Sequence, residues 1–232
     1  MKMRGASGRT LVAVCADVRP ERPLRRDAQR NRDALLCAAR GAFAEEGLNA
    51  SLEGVARRAG VAIGTLYRHF PARGDLIEAL FGAKLQAWIE AGERALAMPD
   101  AWQGFAYYLE KICELQAGDR GFNDLASMRL PLAACIERAR DRSYQLSRQI
   151  VVRAQEAGSV RPDITPEDLA FLIWAHSRIT DATHAIAPDA WRRHLGLMLD
   201  AFRAERATPL PVPPLRAEEV HQAMLKLGGD CG

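Results

Sequence analysis

The densest chemistry in the chain lies between Ser51 and Phe70, SLEGVARRAGVAIGTLYRHF. Ser51 suits a helix N-cap, where its hydroxyl oxygen accepts a free backbone N–H. Leu52, Val55, Ala56 and Ala59 follow at i, i+3, i+4 and i+7, the stripe of a short amphipathic helix. Gly60 breaks that helix. Ile63, Leu66 and Phe70 begin a second apolar stripe, which Pro71 ends. At about 100° per residue these three share one face. Gly64, Thr65, Arg68 and His69 fall on the other, with Tyr67 at the border. That outer face is too polar for a core and carries no acid to repel phosphate. Gly64 would let the helix approach a groove closely. Thr65 and Arg68 can reach base edges, the guanidinium being suited to guanine. Tyr67, His69 and Arg73 suit phosphate oxygens. Two short helices around a glycine turn are what a helix-turn-helix requires, with the second helix in the major groove. A helical hairpin inside an ordinary bundle would show the same periodicity.

Other candidate chemistry is sparse. His176, His184 and His194 are eight and ten residues apart; they form no i,i+4 pair and have no Glu or Cys at ligand spacing, so no metal is expected. The sequence has no nucleophile motif such as G-x-S-x-G and no phosphate-binding glycine loop, so neither an enzyme nor a cofactor is expected. The five cysteines (Cys15, Cys37, Cys113, Cys135 and Cys231) form no CxxC pair. Their scatter suggests a reducing cytoplasm rather than a disulfide framework.

The elements that must position these residues read as helices nearly throughout, and no strand is expected. Residues 1–27, with Pro20 and Pro23, read as a disordered basic arm; the apolar run Leu11–Ala16 is too short for a secretory core. Helices are expected at about 28–46, ended by Gly47, then in the two short segments above, and at about 73–98, stopped by Pro99. Asp100 with Gln103 opens the next, to about 117. Others are expected at about 121–130, 132–157 (ended by Gly158), 166–186 and 189–206. Thr165-Pro166-Glu167-Asp168 supplies a start signal of cap, proline and acids. Pro209–Pro214 reads as an extended linker, with a tail or short helix at about 218–227.

Length and charge narrow the partners. The chain has 232 residues, a formal net charge of +3 and 48% hydrophobic residues, ordinary for a globular protein of one or two domains. Residues 1–82 carry a net charge of +5 and residues 83–232 carry −2. A basic N-terminal module on a mildly acidic body points first to nucleic acid. No run approaches the roughly 18 apolar residues of a membrane helix, so no membrane partner is expected.

The run GTLYRHF, Gly64 to Phe70, resembles the recognition helix of the TetR family of bacterial transcriptional regulators. AARGAFAEEGLNASLEGVARRAGV, Ala38 to Val61, is similar to the family's first two helices. The resemblance spans roughly Arg30 to Leu80. It implies an all-α chain, with a three-helix helix-turn-helix DNA-binding domain at 28–82 and a larger helical ligand-binding and dimerisation domain at 83–206. A Pro-rich linker and tail would follow at 207–232. By resemblance, Ser51 would bond a phosphate. Ile63, Gly64, Thr65 and Arg68 would face the groove, and Tyr67, His69 and Arg73 the backbone. The arginines Arg19, Arg22, Arg25, Arg26, Arg30 and Arg32 would add electrostatic help or reach a minor groove. One departure is Gly54, which stands where an acid often completes the cap of the second helix; glycine costs a helix about 1 kcal/mol relative to Ala.

The resemblance further implies a homodimer on a near-palindromic operator, a repressor role and a small, mostly apolar effector. Phe171, Leu172, Leu195, Met198, Leu199 and Phe202 would supply the dimer interface. Trp102, Phe105, Tyr108, Met128, Trp174 and His176 are the expected pocket residues, aromatics with a few polar groups suiting an apolar ligand.

Overall fold

The protein is described by a computed structural model over residues 22–127, 134–205 and 207–228. Among the described residues ten helices follow one another: α1 Arg22–Glu46, α2 Leu52–Arg58, α3 Ile63–His69, α4 Arg73–Ala97, α5 Ala101–Ala117, α6 Arg120–Ser127, α7 Ala134–Glu156, α8 Asp168–Thr183, α9 Ala190–Phe202 and α10 Ala217–Gly228. Among the described residues there is no strand, only an isolated antiparallel bridge between Val160 and Arg203. Helices α1 to α3 make a three-helix head. In the body α4 packs mainly on α5 and α7, and α8 packs on α9.

The punctuation works as its chemistry demands. Gly47 ends α1 with φ +79° and Gly60 turns the chain between α2 and α3 with φ +70°, a region open to glycine without Cβ strain. Asp100 caps α5 by accepting the Gln103 N–H at 2.7 Å. Thr165 and Asp168 tie the start of α8, the Thr165 N–H donating to Asp168 Oδ2 at 2.8 Å.

Four boundaries differ from expectation, one being the end of α8, which stops at Thr183 rather than near 186. Helix α1 begins at Arg22, so residues 22–27 are helical rather than part of a disordered arm. Pro23 falls in the first turn, where a missing N–H leaves no bond unmade. The rest of the expected arm, including Arg19, lies outside the described residues. Helix α8 begins at Asp168 because its approach is wound tighter, with Asp168 N–H bonded to Thr165 O and Leu169 N–H to Pro166 O. Helix α9 stops at Phe202 rather than near 206. There the Arg161 N–H donates to Phe202 O at 3.0 Å and the Ala204 N–H to Ser159 O at 3.2 Å, exchanging helix bonds for a bridge.

A continuous apolar core joins head and body. Phe43 of α1 stacks on Phe81 of α4, ring centroids 6.4 Å apart. Phe81 in turn meets Phe122 of α6 at 6.2 Å. The joint is polar where it reaches the surface. Asp124 of α6 accepts the Leu48 N–H at 3.1 Å, and Arg120 donates to Glu45 O at 2.9 Å. Burial pushes the Asp124 carboxyl above its ordinary value, with the Leu48 bond acting in the opposite sense. A Cβ on Gly47 would stand 2.4 Å from Asp124 Oδ2, so any other residue here would displace that carboxylate as well as strain the backbone.

His176 sits deep in the body. It is fully buried, bonds Cys113 O through Nε2 at 2.9 Å and lies edge-on to Trp191, centroids 5.6 Å apart. Burial drives its pKa down to about 4, so it folds as a neutral imidazole. Cys113 beside it is an inert thiol, pushed up to about 12 by burial.

Two predictions follow from these environments. Gly47→Ala should lose more than about 2 kcal/mol, combining left-handed backbone strain with the Asp124 clash. Gly60→Ala, whose Cβ would meet nothing within 4 Å, should lose only the roughly 1–2 kcal/mol of strain. Equal losses in thermal unfolding would show that Asp124 does not constrain the loop. The depressed His176 pKa means the unfolded chain binds the proton first. Its contribution, about 3 kcal/mol, should be fully present above pH 6.5 and lost as pH falls toward 4. His176→Gln should flatten that acid limb in chemical denaturation measured against pH; an unchanged limb would place the proton uptake elsewhere.

Candidate nucleic-acid interface and effector cavity

Helix α3 is held on the head by Leu66 and Phe70, both essentially without solvent exposure. Arg32 of α1 covers the Phe70 ring, its guanidinium 4.6 Å from the centroid. Ile63 is 36% exposed and does not join these two in the core, because it opens the helix at its outer end. Gly64, Tyr67 and Arg68 are exposed, and Thr65 and His69 half-buried. Arg68 Nη2 donates to Thr65 Oγ1 at 3.2 Å, so the two groups able to read bases stand side by side. The structure therefore brings Thr65 and Arg68 together on the outer side of α3, with Gly64 and Tyr67 exposed beside them and Ile63 open only at the first turn.

Ser51 stands at the start of α2. Its Oγ accepts the Gly54 N–H at 3.2 Å and donates to Glu53 at 2.9 Å. Backbone N–H bonding and the Ser51 hydroxyl hold the Glu53 carboxyl below its ordinary value. This pair performs the capping that the absent acid at position 54 would share. Arg73 is placed differently from expectation. It is half-buried, and its Nη1 donates to Leu48 O at 2.7 Å and Ala50 O at 2.8 Å. That edge of the guanidinium clamps the α1–α2 loop instead of facing a phosphate. Arg58 is paired with Glu45 and Glu46 at 2.8 and 3.0 Å.

The body holds a cavity of about 400 Å³, partly open to solvent, between α4, α5, α7, α8 and α10, with α6 contributing Ala126. Trp88, Tyr108, Ile112, Leu169 and Ile173 make it largely apolar, while Arg140, Ser143, Tyr144, Ser147 and Glu167 add polar groups. At its floor Trp88 Nε1 donates to the Tyr108 hydroxyl at 3.0 Å. At its rim the Tyr144 hydroxyl donates to Glu167 at 2.6 Å. Arg140 Nη2 donates to Leu125 O at 2.6 Å.

Of the expected pocket residues, Tyr108 lines this cavity and Met128 lies outside the described residues. Phe105 and His176 are packed into the core, Phe105 against Phe202 with centroids 5.6 Å apart. Trp174 does not line the cavity and donates through Nε1 to Ser127 O at 3.0 Å. Trp102 lines a separate shallow groove under Arg203, whose guanidinium is 4.0 Å from its ring. Arg140, Tyr144 and the residues of α10 were missed. Helical spacing marks an inward face without telling filled core from empty space.

Of the expected interface residues, Leu172, Leu195 and Phe202 are buried within the chain. Met198 and Leu199 are half-buried. Phe171 is exposed, as are Ile186 and Leu197 nearby in sequence. The side of α8 and α9 open to a partner is therefore offset from the expected set.

Known proteins match along most of this architecture. Residues 35–80 match the family described as bacterial regulatory proteins, tetR family. Residues 100–204 match the SbtR-like transcriptional regulator C-terminal domain. An HTH-type transcriptional regulator of Staphylococcus aureus (strain USA300) is 43% identical over 54 residues, 23% of this chain and 29% of that protein. The match thus spans under a third of the curated relative's length. Among solved structures, the ketosteroid transcriptional regulator KstR2 of Mycobacterium tuberculosis is 20% identical, with 76% of this chain and 96% of that chain covered and a TM-score of 0.58. FadR from Bacillus subtilis, solved with stearoyl-CoA, is 22% identical, with coverage of 72% and 97% and a TM-score of 0.54. No helix among the described residues is long and apolar enough to cross a membrane. With its helix-turn-helix head on a helical body, the chain belongs to the TetR family of DNA-binding transcriptional regulators.

Proposed function

We propose that the chain is a homodimeric repressor acting in the cytoplasm, a binding protein and not an enzyme, released from a near-palindromic operator when a small, mostly apolar molecule fills the body cavity. The observation that carries this reading is the position of α6. One end of that helix holds the head, through Arg120 to Glu45 O and Asp124 to the Leu48 N–H. Its other end is held by Arg140, which lines the cavity and bonds Leu125 O, and by Trp174, which bonds Ser127 O. A ligand that shifts Arg140 therefore acts on the same short helix that sets the α1–α2 loop. The loop in turn fixes α2 and α3 through Arg73.

Switching needs a ligand affinity that differs between the two arrangements by a few kcal/mol. In a two-fold dimer joined through α8 and α9, the two α3 helices would read half-sites about one DNA turn apart, roughly 34–36 Å or a multiple of it. Thr65 and Arg68 are the groups placed to specify bases. Ile63, Gly64, Tyr67 and His69 support the docked helix, and Ser51 lies where α2 would meet a phosphate. Arg26, exposed on the first turns of α1, adds charge.

Selection of duplexes from a random pool at about physiological salt should recover a near-palindrome. No enrichment over background would overturn the operator-binding reading. On the recovered duplex Arg68→Ala should cost about 1–3 kcal/mol and relax preference at one base pair of each half-site. An equal loss on every sequence would make Arg68 a phosphate contact only.

A further inference from the structure

One side of the effector cavity is made by a helix that the rest of the fold does not need. The SbtR-like match ends at residue 204, yet the chain continues through Pro209–Pro214 to α10. The strap between is pinned at its start. Arg161 Nη2 donates to Thr208 O, and the Leu210 N–H donates to Asp163 Oδ2 at 3.2 Å. Arg161 and Asp163 are locked together by two bonds of 2.6 and 3.0 Å. Four prolines then hold the chain extended. Arg216, whose N–H donates to Glu219 at 2.8 Å, opens α10.

Ala217, Val220, His221 and Met224, at i, i+3, i+4 and i+7, all line the cavity. Val220, His221 and Met224 are only half-buried, and Leu225 and Leu227 are left exposed at 39% and 45%. A 12-residue helix is marginal in water by itself. α10 therefore owes its order to docking over the cavity, through a stripe that contributes little to the core. A weakly docked element on a short tether re-docks readily, because its effective concentration is high.

Building on the effector-site reading above, we propose that α10 is a tethered lid on the effector cavity, displaced to admit the effector and returning when the cavity is empty. The occupant of the groove in the resting state is this chain's own last helix. Effector access is then limited by the fraction of molecules with the lid open. Only the opening, and not the walls of the site, needs to respond to α10.

The test uses the full chain and the neutral solvatochromic dye Nile red, followed by stopped-flow fluorescence. Val220→Asp with Met224→Asp should detach α10, leave thermal unfolding of the body unchanged and raise the dye association rate at least ten-fold. The outer-face pair Gln222→Asp with Lys226→Asp, both exposed, should bind the dye as the unmodified chain does. Ile173→Trp, which fills the cavity, should abolish binding. An unchanged association rate with faster release would make α10 a fixed wall and overturn the lid, while the effector site stands. So would equal acceleration by the outer-face pair. Dye that fails to bind, or binds regardless of Ile173→Trp, would overturn the effector site and the lid with it.

Discussion

The contact between Gly47 and Asp124 is the constraint on which the arrangement of head and body turns. A left-handed residue ends α1, and a carboxylate from α6 occupies the space where any other side chain would begin. Because the same carboxylate accepts the Leu48 N–H, the loop is fixed in position and not merely packed. The bond is made in partly buried surroundings, where an unpartnered N–H would cost about 1–3 kcal/mol. Phe43, Phe81 and Phe122 fill the apolar side of this joint. A head attached in this way cannot rotate freely on its body, and α6 cannot move without disturbing it.

Surface charge plays a smaller part. The pairs from Arg58 to Glu45 and Glu46 are exposed and contribute little each, about 0–1 kcal/mol. They tie α2 to the end of α1. Arg73 shows the other use of an arginine. Its Nη1 alone donates to two carbonyls, Leu48 O and Ala50 O, and so ties the α1–α2 loop to the start of α4. The basic excess of the N-terminal part is thus divided between groups that face outward and groups that hold the head together.

Most of the fold is legible in the sequence because its punctuation is local. Gly47, Gly60, Pro71, Pro99 and Gly158 each act on their own few residues, and periodicity fixes the faces of α2 and α3. What is not legible depends on partners distant in sequence. The end of α9 is set by Ser159 and Arg161, some forty residues earlier. The role of Arg73 is set by carbonyls at positions 48 and 50. Phe105 and Tyr108 lie one turn apart and both face inward, yet only Tyr108 borders empty space. Periodicity cannot separate them. The stripe of α10 was readable as amphipathic, but the surface it covers was not.

The central claim is that α6 transmits between cavity and reading head through its hold on the α1–α2 loop. Asp124→Ala tests it most directly, with affinity for a selected duplex measured at fixed salt beside Arg142→Ala, which removes an exposed ion pair elsewhere on the body. The account predicts that Asp124→Ala weakens DNA binding at least ten-fold while the chain stays fully folded at the assay temperature, and that Arg142→Ala leaves binding unchanged. Full affinity in Asp124→Ala would contradict it, since the head would then read DNA without being held by α6.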